Sequence, residues 1–386
     1  MPDSFTHTSS RSWFSRLKGA FAGVLFGTLL FFGSFALLFW NEGRAVQTYK
    51  TLVEGAGMVI SLTPTQLEAA NEGKLVHVSG LADTGDVLND PLFNVQAKAL
   101  RLSRRAEMLQ WVENKKSETR NKIGGGTETV TTYSYSKEWR ITPVDSSKFR
   151  HPQGHENPPS WPVSSKSWQA GKVTLGSFML GPDQVRKINV YKTIGFDWDN
   201  LPNDDLSGRS TLEDGVIYIG SRYHKQIGDM RIKMSAVYPT NISLIAKQSG
   251  SGFVPYKAAA GGTIDMLETG MVPADQMFEA AQTQNTILTW GLRFAGLMLM
   301  FFGLKLTLRV IRVLADIVPL FGSIVGAGTS IIAFLVAFCL SLVTISIAWL
   351  YYRPLVGGTL LLIAALVALY TSRKVKTASR EVAIKT

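Results

Sequence analysis

Cysteine is nearly absent from this 386-residue chain, because Cys339 is its one cysteine and lies inside an apolar run. A single cysteine excludes an intrachain disulfide and any metal site that needs several thiolates. Charge is also scarce: 18% of the residues are charged and 46% are hydrophobic, whereas soluble domains average about 25% charged residues. Since the apolar residues are concentrated in long runs near both ends, the chain is not a simple soluble protein.

Acidic residues are nearly absent outside the middle of the chain. Residues 41–285 hold 27 Lys/Arg and 26 Asp/Glu, whereas all other residues together hold 13 Lys/Arg and 3 Asp/Glu. The pI near 9.6 therefore describes the segments that flank the apolar runs. A nucleic-acid-binding domain carries its basic face on the folded domain itself, so we expect no nucleic-acid partner.

Motifs of catalysis and metal binding are missing as well. His151 and His155 are four residues apart, but Pro152 and Gly154 argue against a helix that presents both rings to one metal. We therefore interpret them as surface-loop histidines. The glycines at 124–126 are followed by Thr-Glu rather than by a phosphate-loop lysine, which predicts a hairpin turn. We expect no catalytic residues, no cofactor and no metal.

Four long apolar runs are present, at 19–40, 288–308, 321–349 and 355–370. The first has 22 uncharged residues, and about 20 suffice to cross a bilayer. A cleaved signal peptide is the alternative, but its apolar region spans only about 7–15 residues, so an uncleaved anchor is favoured. The third run begins with a glycine-rich stretch that we expect to bend or to enter the membrane only shallowly. The fourth is so short that it must thin the bilayer locally or use its flanking residues.

Basic residues predict how these spans are oriented. They cluster in the flank 1–18, in the link 309–320 and in the tail 371–386, whereas the loop 350–354 holds only Arg353. Basic segments remain in the cytoplasm, so four spans place both termini there and residues 41–287 on the far side. Aromatic residues typical of a membrane interface occur at the span ends predicted to face outward, namely Trp40, Trp290, Trp349, Tyr351 and Tyr352.

The segment 41–287 has the composition of a β-rich domain. Residues 128–139 are rich in β-branched and aromatic side chains and follow a turn signal. Residues 99–113 are expected to pair with them as a long hairpin, although a helix stays open there, and 215–220, 229–237 and 241–247 indicate further strands. Pro273 predicts the start of a helix that continues into the second span. The predicted fold is a multi-pass α-helical membrane protein of four spans, with a large β-rich α+β domain between spans one and two.

Small residues and one acid stand out near the spans. Glycine recurs every four residues, at Gly19, Gly23 and Gly27 and again at Gly322 and Gly326. Such stripes let helix backbones approach closely, either within one chain or between chains. Asp316, just before the third span, is expected to form an interfacial ion pair with Arg312, one helical turn earlier. An acid deeper in the membrane would instead suggest an ion path.

Five stretches resemble the transmembrane protein 43 family, also called LUMA. They are 37–46 (LLFWNEGRAV), 105–113 (RAEMLQWVE), 228–239 (GDMRIKMSAVYP), 313–328 (VLADIVPLFGSIVGAG) and 349–355 (WLYYRPL). The resemblance implies four spans with a large domain between the first two, and no catalytic residues. Eukaryotic members lie in the endoplasmic reticulum and inner nuclear membrane, where they self-associate and contact lamina proteins such as emerin. The compact chain favours a bacterial member, which would lie in the inner membrane with a periplasmic domain.

These observations predict an integral membrane scaffold that self-associates and organises membrane lipids or other membrane proteins. The alternative function is an ion channel or transporter, but Ser341, Thr344 and Ser346 are few polar residues to line a path through the third span. An envelope enzyme is a third class, which a pocket with convergent acids or histidines in the middle domain would favour.

Overall fold

A computed structural model describes residues 4–65, 67–196, 210–220, 224–316, 319–355 and 357–359, and the side chains of 319–323 lie outside this description. The chain forms two compact units. The β-rich unit comprises Met1–Ser9, Thr51–Thr119 and Thr129–Ala280, and the helical unit comprises Ser10–Lys50, Arg120–Glu128 and Ala281–Thr386. The expected domain 41–287 therefore contributes three segments to the helical unit.

Five α-helices are described: α1 Trp13–Met58, α2 Pro182–Lys187, α3 Ala274–Thr307, α4 Arg309–Ala315 and α5 Pro319–Tyr352. Among the described residues, three helical segments are long and apolar enough to cross a membrane, namely Trp13–Met58, Ala274–Ala315 and Ile324–Tyr352. They contain the first two predicted spans and residues 324–349 of the third. The predicted fourth span and the basic tail fall mostly outside the described residues.

The helix that follows Pro273 begins at Ala274 and runs without a break into the second predicted span, as expected. The glycine-rich start of the third predicted span is helical, because α5 is continuous from Pro319. Its bend or shallow entry into the membrane stays a prediction. Apolar neighbours and intact backbone hydrogen bonds stabilise a helix even where glycine lowers its propensity.

Nineteen strands are described, together with 3₁₀ turns at Ala69–Asn71 and Ser146–Lys148. The strands are β1 Ser4–Arg11, β2 Ile60–Leu62, β3 Leu75–Asp83, β4 Val87–Asp90, β5 Val95–Lys98, β6 Arg101–Asn121, β7 Thr127–Arg140, β8 Lys166–Gln169, β9 Val173–Leu175, β10 Phe178–Leu180, β11 Lys192–Ile194, β12 Ser210–Glu213, β13 Val216–Ile219, β14 Met230–Val237, β15 Thr240–Ser249, β16 Gly252–Val254, β17 Tyr256–Lys257, β18 Thr263–Ile264 and β19 Met266–Thr269.

The first sheet has the strand order β1-β7-β6-β14-β13-β12, with β11 beside β14 and β8 beside β6. Strand β6 pairs antiparallel with β14 from Met108 opposite Met230 to Arg101 opposite Val237. Alternate residues of β6, such as Leu102, Ala106 and Met108, are buried in the sheet's core. This period of two is typical of a strand, so the hairpin prediction is confirmed and the helix alternative at 99–113 is wrong.

The second sheet has the order β10-β9-β3-β15-β16, with β19 beside β15 and β2 beside β3. Strand β15 pairs antiparallel with β3 from Thr240 opposite Ala82 to Lys247 opposite Leu75. The predicted strands at 215–220, 229–237 and 241–247 are confirmed as β13, β14 and β15. Strands β14 and β15 are consecutive but lie in different sheets, so the proline-containing turn between them moves the chain from one sheet to the other.

Strand β1 lies in the segment that was predicted to be the cytoplasmic N-terminal flank. It forms the edge of the first sheet beside β7, and residues 4–9 and 51–58 both belong to the β-rich unit. A bilayer crossed once by residues 19–40 would separate the flank 1–18 from the segment 41–287, whereas backbone pairing requires contact at about 3 Å. The orientation of the flank stays a prediction, which the cysteine labelling described in the Discussion tests. The polar sequence of β1 has no apolar alternation that would predict a strand.

Candidate functional site

A buried polar cluster lies where α1, α3 and α5 meet in the helical unit. Glu42 of α1 is 1% exposed. Its carboxylate accepts hydrogen bonds from Arg293 Nε at 2.6 Å and Arg293 Nη2 at 2.8 Å. The indole Nε1 of Trp349 donates to Glu42 Oε2 at 2.8 Å. One carboxylate thereby joins three long helices. We call these three side chains, together with Asn41, Arg44, Asn285 and Thr289, the Glu42 cluster.

A second group of hydrogen bonds continues the Glu42 cluster along α1 and α3. Arg44 donates to Asn285 Oδ1 at 2.9 Å and to Thr289 Oγ1 at 2.9 Å. Asn41 Nδ2 donates to the Thr289 carbonyl at 3.1 Å, and Asn285 Nδ2 donates to the Ala45 carbonyl at 3.1 Å. These side chains therefore pair with one another within a largely apolar helix bundle, where an unpaired polar group is costly. Among the described residues, Arg44 Nε alone of this group is buried without a hydrogen-bond partner.

Helical spacing explains how the sequence builds this cluster. Asn285, Thr289 and Arg293 recur every four residues and so lie on one face of α3. Removing one partner of a buried ion pair leaves an uncompensated charge and costs about 3–5 kcal/mol. The Glu42 cluster therefore holds the three helices in one arrangement.

The predicted aromatic belt divides into two groups. Trp40, Trp290 and Tyr351 are exposed. Trp349 and Tyr352 are partly buried, and the structure gives them inward contacts that the sequence did not predict. The Arg293 guanidinium lies 4.7 Å from the Trp290 ring centroid and 5.6 Å from that of Trp349. A Cβ added to Gly43 would lie 2.6 Å from Tyr352 Cζ, so this tyrosine packs directly on the α1 backbone.

The glycines predicted to pack helices have different surroundings. A Cβ on Gly27 would lie 2.7 Å from the Gly303 carbonyl oxygen, so α1 and α3 are in backbone contact there. Gly19 and Gly23 have no atom within 4 Å of an added Cβ, among the residues that the structure describes. Gly326 packs against the Arg312 side chain. The surroundings of Gly322 lie outside the described residues, and Gly303 was not singled out from the sequence.

The predicted ion pair between Arg312 and Asp316 is corrected by the structure. Asp316 is fully buried, and its carboxylate pairs with Arg16 of α1. Asn121 Nδ2, at the tip of the β6–β7 hairpin, donates to the same carboxylate at 3.3 Å. Arg312 contributes its backbone carbonyl, which accepts from the Asp316 amide at 3.0 Å, while its side chain extends to α5. The tertiary contact with Arg16, rather than the four-residue spacing from Arg312, therefore determines the ion-pair partner of Asp316.

Further contacts hold the hairpin tip against the start of α1. Arg16 also donates to the Gly125 carbonyl, and a Cβ on Gly125 would clash with the Trp13 ring. The Trp13 indole in turn donates to the Val313 carbonyl of α4 at 2.8 Å. The tip 120–128, the N-terminal turn of α1 and helix α4 thus form one contact network within the helical unit.

The hydroxyl groups considered for a conduction path bond to their own helix. Ser341 donates to the Phe338 carbonyl at 2.8 Å, Thr344 to the Leu340 carbonyl at 2.7 Å and Ser346 to the Leu342 carbonyl at 2.8 Å. Hydroxyls engaged in this way direct their protons to the backbone rather than to a path between the helices. Their geometry therefore adds no support for the channel alternative.

A groove of about 700 Å³ in the β-rich unit contains His77, Ser61 and Asp275. His77 Nε2 lies 3.0 Å from the Val272 carbonyl, which assigns the proton to this nitrogen, and Nδ1 lies 3.4 Å from Ser61 Oγ. Burial lowers the pKa of His77, while the Val272 carbonyl and Asp275 act in the opposite direction. A serine hydrolase uses a carboxylate to orient the imidazole, whereas a backbone carbonyl fills that role here. The groove therefore lacks the geometry of a catalytic triad.

The histidines predicted to lie on a loop surface belong instead to an aromatic cluster. His155 is 2% exposed and stacks on Tyr135 with ring centroids 3.9 Å apart. The Tyr135 hydroxyl donates to Glu113 Oε2 at 2.7 Å and accepts from the His151 amide at 3.0 Å. Burial, together with the Glu113 carboxylate, raises the pKa of Tyr135 to about 12. The surface interpretation is therefore wrong for His155, whose ring is a packing element.

Sequence reasoning missed Glu42, Arg293 and Asn285 as members of one site. A usable signal was present, because Asn41-Glu42 directly follows an uncharged run of 22 residues and Arg293 lies inside another apolar run. Ionisable residues at such positions usually face a partner. Which partner each one has depends on how the helices are packed, and this cannot be derived from spacing along a single helix.

Comparisons with known proteins identify relatives of this chain. The profile of the family described as "Transmembrane protein 43" matches residues 108–354. The chain is similar to transmembrane protein 43 of Mus musculus, with 35% identity over 353 residues that cover 88% of this chain and 87% of the mouse protein. The Homo sapiens protein is 35% identical over 90% of this chain and 89% of its own length.

A more distant relative, the transmembrane protein 43 homolog of Drosophila melanogaster, is 32% identical over 89% of this chain and 92% of its own length. No solved structure matches the chain significantly. Two of the stretches that carry the resemblance, 37–46 and 349–355, meet in the structure, since Glu42 accepts a hydrogen bond from Trp349. On its sequence, over nearly its whole length, this chain belongs to the transmembrane protein 43 family.

Proposed function

We propose that this protein is a non-enzymatic membrane scaffold that self-associates and holds a large β-rich unit at a membrane surface. The observation that carries the proposal is the Glu42 cluster. A buried carboxylate whose two oxygens accept from Arg293 and Trp349 holds three apolar helices together. A bundle that is fixed in this way suits a scaffold better than a transporter, whose helices must move past one another during each cycle.

Self-association is supported by an exposed face near the start of α1. Gly19 and Gly23 have open space beside them, and Phe21, Leu25 and Leu29 are exposed. Glycines in a helix allow close approach of a second helix within a bilayer. The proposed partners are therefore a second copy of the chain, membrane lipids and other membrane proteins.

The proposed location is a cellular membrane. A bacterial chain would lie in the inner membrane and a eukaryotic one in the endoplasmic reticulum or inner nuclear membrane. Placement of the β-rich unit outside the cytoplasm, the prediction made from the basic flanks, is part of the proposal. In right-side-out vesicles, a cysteine at position 87 of the β-rich unit should then react with a membrane-impermeant maleimide without permeabilisation, and reaction only after permeabilisation would contradict the placement.

Native mass spectrometry in a mild detergent tests self-association. The wild-type chain is expected to form oligomers, and replacing Gly19 and Gly23 together with leucine should shift the population towards monomers. Gly296→Ala is the matched control, because this glycine packs on Leu38 of the same chain. It should lower stability without selectively removing the oligomer. A strictly monomeric wild-type protein, with and without added lipid, would contradict the proposal.

A further inference from the structure

One end of the helical unit carries a basic surface made of three segments, 10–18, 120–128 and 305–316. Together they hold eight Lys/Arg and two acidic residues, a net charge of +6. Both acids are engaged: Glu128 pairs with Lys122 at 2.8 Å, and Asp316 pairs with Arg16. The contacts of Asn121 and Trp13 described above hold the three segments together.

Exposed apolar side chains are interspersed on this basic surface. Ile123, at the tip of the hairpin, is 94% exposed, and Phe14 is 75% exposed. Ile311 and Leu314 of α4 are also exposed. So exposed an isoleucine, directly after Lys122, is poorly suited to water. The combination of cations with exposed apolar residues is typical of surfaces that bind at the membrane interface.

The chain itself places this basic surface beside the bilayer. Lys18 directly precedes the apolar run that begins at Gly19, and Lys305 lies at the end of the apolar part of α3. Cations at such boundaries lie at headgroup level. Arg16 and Trp13 hold the hairpin tip to the same region.

We propose that the β6–β7 hairpin tip is a membrane-binding element whose partner is an anionic lipid leaflet. Ile123 inserts at the boundary between headgroups and acyl chains, and the surrounding cations contact lipid phosphates. Each basic residue near an anionic leaflet adds to the electrostatic attraction. Apolar side chains buried in the interface strengthen binding further, and their contribution does not depend on salt. This inference does not depend on the scaffold function, because it concerns how one hairpin contacts lipid.

A fluorescent reporter at the tip tests the inference in the full-length protein. Cys339 is replaced by serine, and Ile123→Cys is labelled with an environment-sensitive dye. The protein is placed in nanodiscs of phosphatidylcholine alone or mixed with phosphatidylglycerol. In the anionic discs we expect a blue shift of the emission and quenching by a lipid-attached quencher, and high salt should reverse part of both effects.

Two controls separate lipid contact from other causes. The same dye at Val87→Cys, an exposed apolar position in the β-rich unit, should report water in both kinds of disc. Replacing Arg120 and Lys122 with glutamine should reduce quenching at the tip, whereas replacing Lys115 and Lys116, exposed cations earlier on the same strand, should not. If the dye at position 123 reports water in anionic discs, or if it is quenched equally without phosphatidylglycerol, the inference is wrong.

Discussion

Buried charged side chains of the helical unit form ion pairs with partners that are distant in sequence. Glu42 and Arg293 are separated by 251 residues, and Arg16 and Asp316 by 300. In each pair a charge at the edge of an apolar run would be costly if it were left alone. The sequence therefore shows that such residues need partners, but their choice of partner is a property of the packed helices.

Glu42→Gln is expected to destabilise the helical unit. Glutamine keeps the size of the side chain but removes the charge opposite Arg293, and breaking a buried ion pair in this way costs about 3–5 kcal/mol. Thermal unfolding of the purified protein in detergent measures the effect. Glu118→Gln is the control, because Glu118 forms an exposed pair with Lys116, and such surface changes usually stay within about 0.5 kcal/mol. Equal stability of the two variants would show that the Glu42 cluster contributes little.

Tyr135 is expected to make the stability of the β-rich unit depend on alkaline pH. Its pKa is raised from 10.0 to about 12 in the folded state. A raised pKa means that the neutral form is favoured on folding, so this contribution is complete below about pH 10 and is lost as the pH rises towards about 12. Unfolding of the wild-type protein, followed as a function of pH, should show this loss.

The matched variants are Tyr135→Phe and Tyr133→Phe on the same strand. The first should lack the additional loss of stability between about pH 10 and pH 12, because it has no hydroxyl to ionise. The second should retain it. The same pH dependence in wild type and Tyr135→Phe would contradict the assignment.

At the scale of elements, the contact between α1 and α3 depends on two glycines. A Cβ on Gly303 would lie 2.7 Å from the Phe31 amide nitrogen and 2.8 Å from the Gly27 carbonyl oxygen. Both atoms belong to the backbone, so a side chain cannot be accommodated by a change of rotamer. The two helices would have to separate, which would also strain the buried packing of Leu38 and Met300.

Gly303→Leu is therefore expected to destabilise the helical unit by at least the roughly 1–3 kcal/mol that is typical of overpacking. Gly291→Leu on the same helix is the control, because no described atom lies within 4 Å of its added Cβ. Unfolding in detergent compares the two variants. If Gly291→Leu were as destabilising as Gly303→Leu, helix propensity rather than close packing would be the cause.

The local sequence patterns predicted some secondary-structure elements correctly and gave no signal for others. The β-branched and aromatic residues of β7 and the turn at 124–126 predicted a hairpin, because alternation and turn chemistry act over a few residues. Strand β1 was missed, since its Ser- and Thr-rich sequence forms a strand through pairing with β7. The predicted fourth span at 355–370 falls mostly outside the described residues and stays a prediction.

At the scale of the whole molecule, strand β1 leads to a test of membrane topology. His7 lies in β1 and Val87 in β4, and both belong to the β-rich unit. A compact unit with shared hydrogen bonds cannot be divided by a bilayer. We therefore expect both residues on the same side of the membrane.

Cysteine labelling in sealed vesicles checks this expectation. In a chain with Cys339→Ser, cysteine at position 7 or 87 should react with a membrane-impermeant maleimide from the same side. Permeabilised vesicles provide the control for total reactivity. If position 7 reacted only from the side opposite position 87, β1 would not pair with β7 in the membrane-inserted protein. The orientation predicted from the basic flanks would then be correct for the N-terminus.

The membrane class, the β-rich middle segment, the long hairpin and membership in the family could all be predicted from the residues alone. These features follow from hydrophobic run length, residue alternation and local motifs, which operate within about one or two dozen residues. The packed fold was needed to show that Glu42 binds Arg293 and Trp349, that Asp316 binds Arg16, and that the flank before α1 joins the first sheet. Each of these contacts satisfies a charge or a backbone group with a distant partner, and many distant partners are compatible with one local pattern until the chain is packed.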